Sequence, residues 1–231
     1  MKMRWGAGLL AAALIFTATP QAQADEVISS DIYEWVQSTS RQNYFFNKQH
    51  MYFGQTDKGI LDANIILVPS LRTYDQVQIQ DVIAKRRWKM QSTEGYNDLV
   101  GTAEYLRFDL AAGTVTVTKH MDLDSDWGVL ETVETPRTIK LADLSEKGVE
   151  GVFYRTIINY AYKHVDEIAA RTEKVKHAQL TDSVKKDLEK LKNADAQAET
   201  KAADKDKKDN GKDKNDKKDK KDDKDKKKQD K

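Results

Sequence analysis

After Thr200 this chain has no aromatic residue and no aliphatic side chain larger than Ala; Lys and Asp interleave to the end, with Asn, Gly and Gln between them. Such a segment buries too little apolar surface to offset the entropy of ordering it. Residues 200–231 are therefore expected to form a disordered, low-complexity polyampholyte tail, and every core residue must come from the chain before it.

The same boundary divides the charge. Residues 201–231 hold 15 Lys and 10 Asp, while the whole chain balances 39 Lys and Arg against 38 Asp and Glu. With Lys2 and Arg4 at the start, residues 25–200 are left at −6. An acidic body thus carries a basic tail, expected to act as a hydrophilic spacer. The ten Asp residues dilute any attraction to anionic envelope polymers or lipid head groups. The tail lacks the Arg and interleaved aromatics of a nucleic-acid-binding segment, so nucleic acid is not an expected partner.

At the other end, Lys2 and Arg4 precede an apolar run from about Gly6 to Ala18, then Pro20 and Ala22-Gln23-Ala24. A positive start, a short apolar stretch and a small-x-small site are the parts of an export signal, so residues 1–24 are expected to be cleaved after Ala24. The run is shorter than the roughly 20 apolar residues of a bilayer span, so no transmembrane anchor is expected to remain. The chain has no cysteine, which excludes a lipid-anchored lipoprotein, a disulfide scaffold, a zinc-thiolate centre and a cysteine enzyme. Export to the periplasm, the cell surface or the medium is the expected localisation, with a fold held by its core alone.

Residues 25–177 suit one domain. Ile32 to Gln37 alternates as a strand, although Asp31 is also placed to cap a short helix. Asn43 to Phe53 reads as a strand pair or one bent strand around Asn47-Lys48, and Ile60 to Val68 as a strand ended by Pro69. In Tyr74 to Met90, Asp75 and Gln78 resemble a helix cap, but the alternation of Val77 and Ile79, then Val82, Ala84, Arg86, Trp88 and Met90, favours a strand bulged near Asp81. Val100–Leu110 and Thr114–Leu123 form the clearest hairpin, through Ala111-Ala112-Gly113. Strict alternation would put Val115, Val117, Met121 and Leu123 on one face and Thr116, Thr118, His120, Asp122 and Asp124 on the other. Trp127 to Val133 adds a strand, and Pro136 starts a loop. Phe153 to about Lys176 is the most regular helix, with Phe153, Ile157, Ala161, Val165 and Ile168 along one side. The expected class is α+β: an antiparallel sheet of short strands packed by one C-terminal amphipathic helix. Residues 178–199 form a helical connector, where Leu180, Val184, Leu188 and Leu191 make one stripe. Being short, it must dock on the domain, self-associate or fray.

The succession Tyr33-Glu34-Trp35-Val36, Tyr44-Phe45-Phe46-Asn47, Ile60 to Leu67, and Lys85-Arg86-Arg87-Trp88-Lys89-Met90 leading to Gly95-Tyr96 resembles the small exported β-domains of the surface-adhesin protein E type. The likeness covers residues 33–97, and the cysteine pair typical of that family is absent. It implies a surface or periplasmic binding module and transfers no catalytic residue.

Lys85, Arg86, Arg87, Trp88 and Lys89 are the densest positive charge in the acidic body. On a strand, Lys85, Arg87 and Lys89 would share one face and Arg86 and Trp88 the other, either guarding an edge or meeting an anionic partner. Asp122, Asp124 and Asp126 begin like a calcium loop, but Trp127 and Val133 stand where that loop needs Gly and Glu. The four histidines, His50, His120, His164 and His177, have no metal-binding spacing, and no nucleophile elbow, phosphate loop or dinucleotide fingerprint occurs. His120 beside Asp122 is a conceivable acid–base pair. No catalytic residue, cofactor or metal is assigned. The leading expectation is a non-enzymatic interaction or adhesion-like module, with Lys85, Arg87, Trp88 and Lys89 as its surface. Its partner would be an anionic envelope component or a protein or matrix ligand. A small-ligand carrier with a pocket between sheet and helix, and a hydrolase with an unrecognised carboxylate site, are the alternatives. A filled core with exposed aromatics would favour docking, and an enclosed apolar cavity would favour a carrier.

Overall fold

The computed structural model describes residues 28–193. The expected leader 1–24, the tail 200–231 and the last residues of the connector lie outside the described residues. Eight strands form one antiparallel sheet: β1 (Tyr33–Ser38), β2 (Gln42–Asn47), β3 (Tyr52–Gln55), β4 (Leu61–Tyr74), β5 (Leu99–Asp109), β6 (Thr114–Asp124), β7 (Val129–Val133) and β8 (Arg137–Lys140). The path runs β1-β2-β4-β5-β6-β7, with β3 beside the first half of β4 and β8 beside the first half of β6. The helices are α1 (Gln76–Trp88), α2 (Val149–Lys163), α3 (Val165–Lys176) and α4, residues 182–193. None of the described helices is long and apolar enough to cross a membrane. The expected α+β class holds, with more helix than expected.

One sheet face carries a row of large apolar side chains, Phe53, Ile66, Phe108, Val115 and Ile139, aligned by the strand registers. Against it pack α2 and α3. Phe153, Ile157, Ala161, Val165 and Ile168, the expected apolar stripe, are all buried. Aromatic contacts close the interface: Tyr44 on Phe153 at 5.5 Å, Phe46 on Tyr160 at 5.1 Å and Phe108 on Tyr154 at 5.9 Å between ring centroids. The single expected helix is divided at His164, whose φ of −113° leaves the helical range. Thr172 locks α3 to β3, since its hydroxyl donates to the Ile168 carbonyl and accepts from the Phe53 amide.

The connector docks. Ala178, Val184 and Leu188 are buried in the main core, with Leu180 and Leu191 packed against it, and Ile60 bridges to Gln179. The folded unit therefore extends past residue 177.

Pro136 does not start a loop but directly precedes β8, and three further expectations fail for identifiable reasons. β4 is not ended by Pro69 but runs on to Tyr74. Pro69 falls where β2 has finished pairing (Phe46 with Ser70) and β3 has not begun (Tyr52 with Leu67), so its missing N–H costs no ladder bond on that side.

Residues 76–88 are helix, not strand. The Asp75 carboxylate caps the first turn by accepting from the Gln78 amide at 2.7 Å, and the inward residues are Ile79, Val82, Ile83 and Arg86, a helical spacing whose last member is charged. Alternation misled because Arg86 is buried while Val77, Trp88 and Met90 are exposed.

The third correction concerns the hairpin. Leu106 faces Val117, but Tyr105 faces Lys119, so β6 carries an extra residue at Thr118. Beyond this bulge the faces exchange: His120 and Asp122 join the Val115 and Val117 face, opposite Glu104 and Thr102.

Candidate functional site

The site nominated by the sequence lies at the C-terminal end of α1. Cations in a last helical turn are favoured by the negative end of the helix dipole, and Lys85, Arg86 and Arg87 occupy that turn. The helix then closes in a Schellman arrangement. The Gln91 amide donates to the Arg86 carbonyl at 2.9 Å and the Met90 amide to the Arg87 carbonyl at 3.0 Å. Glycine is the usual residue at the left-handed position of this motif; here Met90 holds it at φ 56°, at a cost of about 1 kcal/mol.

The helix separates residues that a strand would have paired. Arg86 turns inward. Its Nε donates to the Ser92 carbonyl at 2.7 Å, its Nη1 bonds the Glu131 carboxylate, and Asp122 lies 3.9 Å away. Lys85, Arg87, Trp88 and Lys89 are exposed, and among the described residues their side chains make no hydrogen bond or ion pair. Trp88 is 83% and Met90 96% exposed, the highest values among the large apolar side chains. Between Asp81 and Glu94 the chain has no acidic residue, and Asp81 is already paired with Arg41. The helix end thus carries three exposed cations, an indole and a thioether between Lys85 and Met90.

His120 and Asp122, conceived as a pair from the sequence, belong to a larger second group whose inward placement the bulge at Thr118 hides. On the helix-covered face, apolar rows give way to polar ones: Ser70, Glu104 and His120, then Arg72, Thr102, Asp122 and Glu131. His120 stands between two carboxylates, with Nδ1 3.1 Å from Glu104 and Nε2 3.1 Å from Asp122. Hydrogen bonding to Asp122 and then to Glu104 pushes the imidazole up to about 9, so it is an imidazolium at neutral pH. Burial pushes both carboxyls upward. Bonding to His120, with the Arg72 charge for Glu104 and the Tyr96 hydroxyl for Asp122, outweighs it and holds both below the usual range. Tyr96 donates to Asp122 at 2.7 Å, and burial followed by that bond raises its phenol. Arg72 pairs with Glu104 at 3.0 Å beneath the rings of Tyr44 and Phe153. Charges alternate in sign, and both imidazole nitrogens face carboxylates. Such an array ties β4, β5, β6 and β7 together across the polar end of the sheet.

The aspartates resembling a calcium loop do not converge. Asp122 belongs to the inward group, Asp124 caps a turn by accepting from the Asp126 and Gly128 amides, and Asp126 is exposed. Among the described residues, no group of three or more His, Cys, Asp or Glu side chains is arranged to hold a metal. On the opposite sheet face, Trp35, Phe45, Leu71, Ala103 and Met121 form a cross-strand row, with Trp35 58% exposed.

No family model, no curated protein and no solved structure matches this chain. Function must therefore be argued from the residues themselves.

Proposed function

We propose that this is an exported cell-envelope protein of non-enzymatic type, an interaction module that engages an anionic envelope component through the tip of α1, with the charged tail as a spacer. The observation that carries this reading is the unpaired tip: Lys85, Arg87 and Lys89 around an exposed Trp88, on a body whose net charge is −6. Desolvating an unpaired surface cation costs less than breaking an existing ion pair, and a cationic patch steers an anionic partner.

The filled interface between the sheet and α2–α3, where Phe153, Tyr154 and Ile157 have no exposed surface, supports docking over a carrier pocket at that place. The carboxylates of the inward group support a structural over a hydrolytic role. General acid catalysis needs a carboxyl raised toward neutrality, whereas Glu104 and Asp122 are both lowered. Export rests on the leader pattern alone, and N-terminal sequencing of protein from the producing cells is expected to begin at Asp25.

The test is co-sedimentation with isolated cell envelopes at low and high salt, comparing the wild type with K85E/R87E/K89E. Wild-type binding is expected to fall with salt and the variant to bind weakly throughout. Equal binding at low salt, with both proteins folded, would overturn the assignment of the tip.

A further inference from the structure

We infer that the partner of the α1 tip is the surface of an anionic phospholipid bilayer, with Trp88 and Met90 entering the head-group boundary and Lys85, Arg87 and Lys89 lying against the phosphates. This rests on the reading of the tip as the binding surface and names its partner.

Three features of the tip select a lipid surface. Its two apolar side chains are the most exposed of the large ones among the described residues, and they lie two residues apart at one helix end. Trp prefers the head-group level of a bilayer, where its ring is apolar and its N–H is wet. Met90 adds a flexible thioether that is only a weak hydrogen-bond acceptor, and it occupies the one position of the helix end where Gly would relieve the backbone. An outlier conformation that displays an apolar side chain to solvent points to a use for that side chain.

The charge pattern agrees. Residues 82–93 include Lys85, Arg86, Arg87 and Lys89 and no acid; Arg86 is consumed internally, so three cations remain around the indole. Basic residues flanking an interfacial aromatic give attraction to anionic head groups and a depth at which to stop. A neutral polysaccharide would leave the charges of Arg87 and Lys89, which flank Trp88, without an opposite charge to meet.

The test uses the chain from Asp25 to Lys231, so that every protein carries the same tail and only the tip differs. Sedimentation is measured with vesicles of phosphatidylcholine alone and with vesicles containing phosphatidylglycerol. Wild-type protein is expected on the anionic vesicles only, with a blue shift in tryptophan emission. K85Q/R87Q/K89Q is expected to lose about a hundredfold in partitioning, and W88A/M90G about tenfold together with the blue shift. Urea midpoints of both variants confirm that they fold. Equal partitioning of the wild type and W88A/M90G overturns the inference, because Trp88 and Met90 then do not enter the head-group boundary. Soluble poly(glycerol phosphate) separates the two levels. If it binds in a manner dependent on Lys85, Arg87 and Lys89 while vesicles do not, the tip stands and the bilayer falls. If neither probe responds to the tip variants, both fall.

Discussion

The guanidinium of Arg86 lies 4.0 Å from the ring centroid of Tyr96. This contact sorts the basic cluster into one structural residue and three cations with no partner among the described residues, because it draws Arg86 to Glu131 and Asp122 while its neighbours stay in solvent. Arg86→Ala would leave Glu131 without its counter-ion, leave Asp122 with His120 alone, and uncover the Tyr96 ring. A loss of about 3 kcal/mol is expected by urea unfolding, and about half that for Arg86→Lys, which keeps the charge but loses the fork. Equal, near-zero losses would mean that Arg86 is no more structural than Arg87.

His120 gives a pH dependence of definite sign. Its folded pKa of about 9 lies above the ordinary 6.5, so its contribution is fully present below about 6.5 and is lost as pH rises through about 9. Glu104 and Asp122 are lowered, so their contribution is present above the ordinary carboxylate range and is lost as pH falls through the lowered values. Of the other charged groups at this cluster, Arg72 faces Glu104, and Arg86 faces Asp122 and Glu131; none of these arginines titrates in that window. Unfolding free energies measured from pH 4 to about 10 should show a plateau between about pH 5 and 6.5 and a fall from there to about pH 9. His120→Asn should lower it by about 2 kcal/mol, reduced from a fully buried pair by the partial exposure of the ring, and should flatten the alkaline fall. An unchanged alkaline slope in that variant would contradict the assignment.

The docked α4 predicts a sharp difference between two truncations. Ending the chain after residue 199 should leave thermal stability nearly unchanged, since the residues beyond it carry almost no apolar surface. Ending it after residue 177 removes the buried Ala178, Val184 and Leu188 and strips the main core. Leu188→Ala alone should cost about 2–3 kcal/mol. If both truncations melt alike, α4 does not contribute to the core.

Met90→Gly should stabilise the domain by up to about 1 kcal/mol, because the Schellman position is left-handed and Gly has no Cβ to strain there. Chemical denaturation reads this directly. A destabilised variant would mean that the Met90 side chain packs on the protein rather than projecting from it.

Legibility in the sequence followed the apolar periodicities. The α2–α3 stripe from Phe153 to Ile168 and the β5–β6 hairpin were visible because every inward position is apolar or the turn is short and Gly-containing. The helix α1 was obscured by its own pattern: an inward Arg86 and outward Val77, Trp88 and Met90 invert the usual arrangement, and the cap at Asp75 was the clearest local sign of helix. Pro69 suggested an end to β4 because the gap between β2 and β3 is a tertiary feature. The Glu104–His120–Asp122 array was hidden for a related reason. A single extra residue at Thr118 reverses the parity of β6, and no residue near it announces a bulge. The tip residues Lys85, Arg87, Trp88 and Lys89 were nominated from charge density alone, and helix geometry then separated them from Arg86.

Amide chemical-shift mapping reads whether the tip of α1 is the surface that meets the bilayer. On titrating the isotope-labelled chain from Asp25 to Lys231 with phosphatidylglycerol-containing bicelles, shifts are expected at residues 84–91 and in the Trp88 indole N–H. The inward array around His120 and the Trp35–Met121 row should stay unperturbed. Shifts centred on Trp35 and Met121, or confined to the tail with the α1 tip silent, would contradict the account.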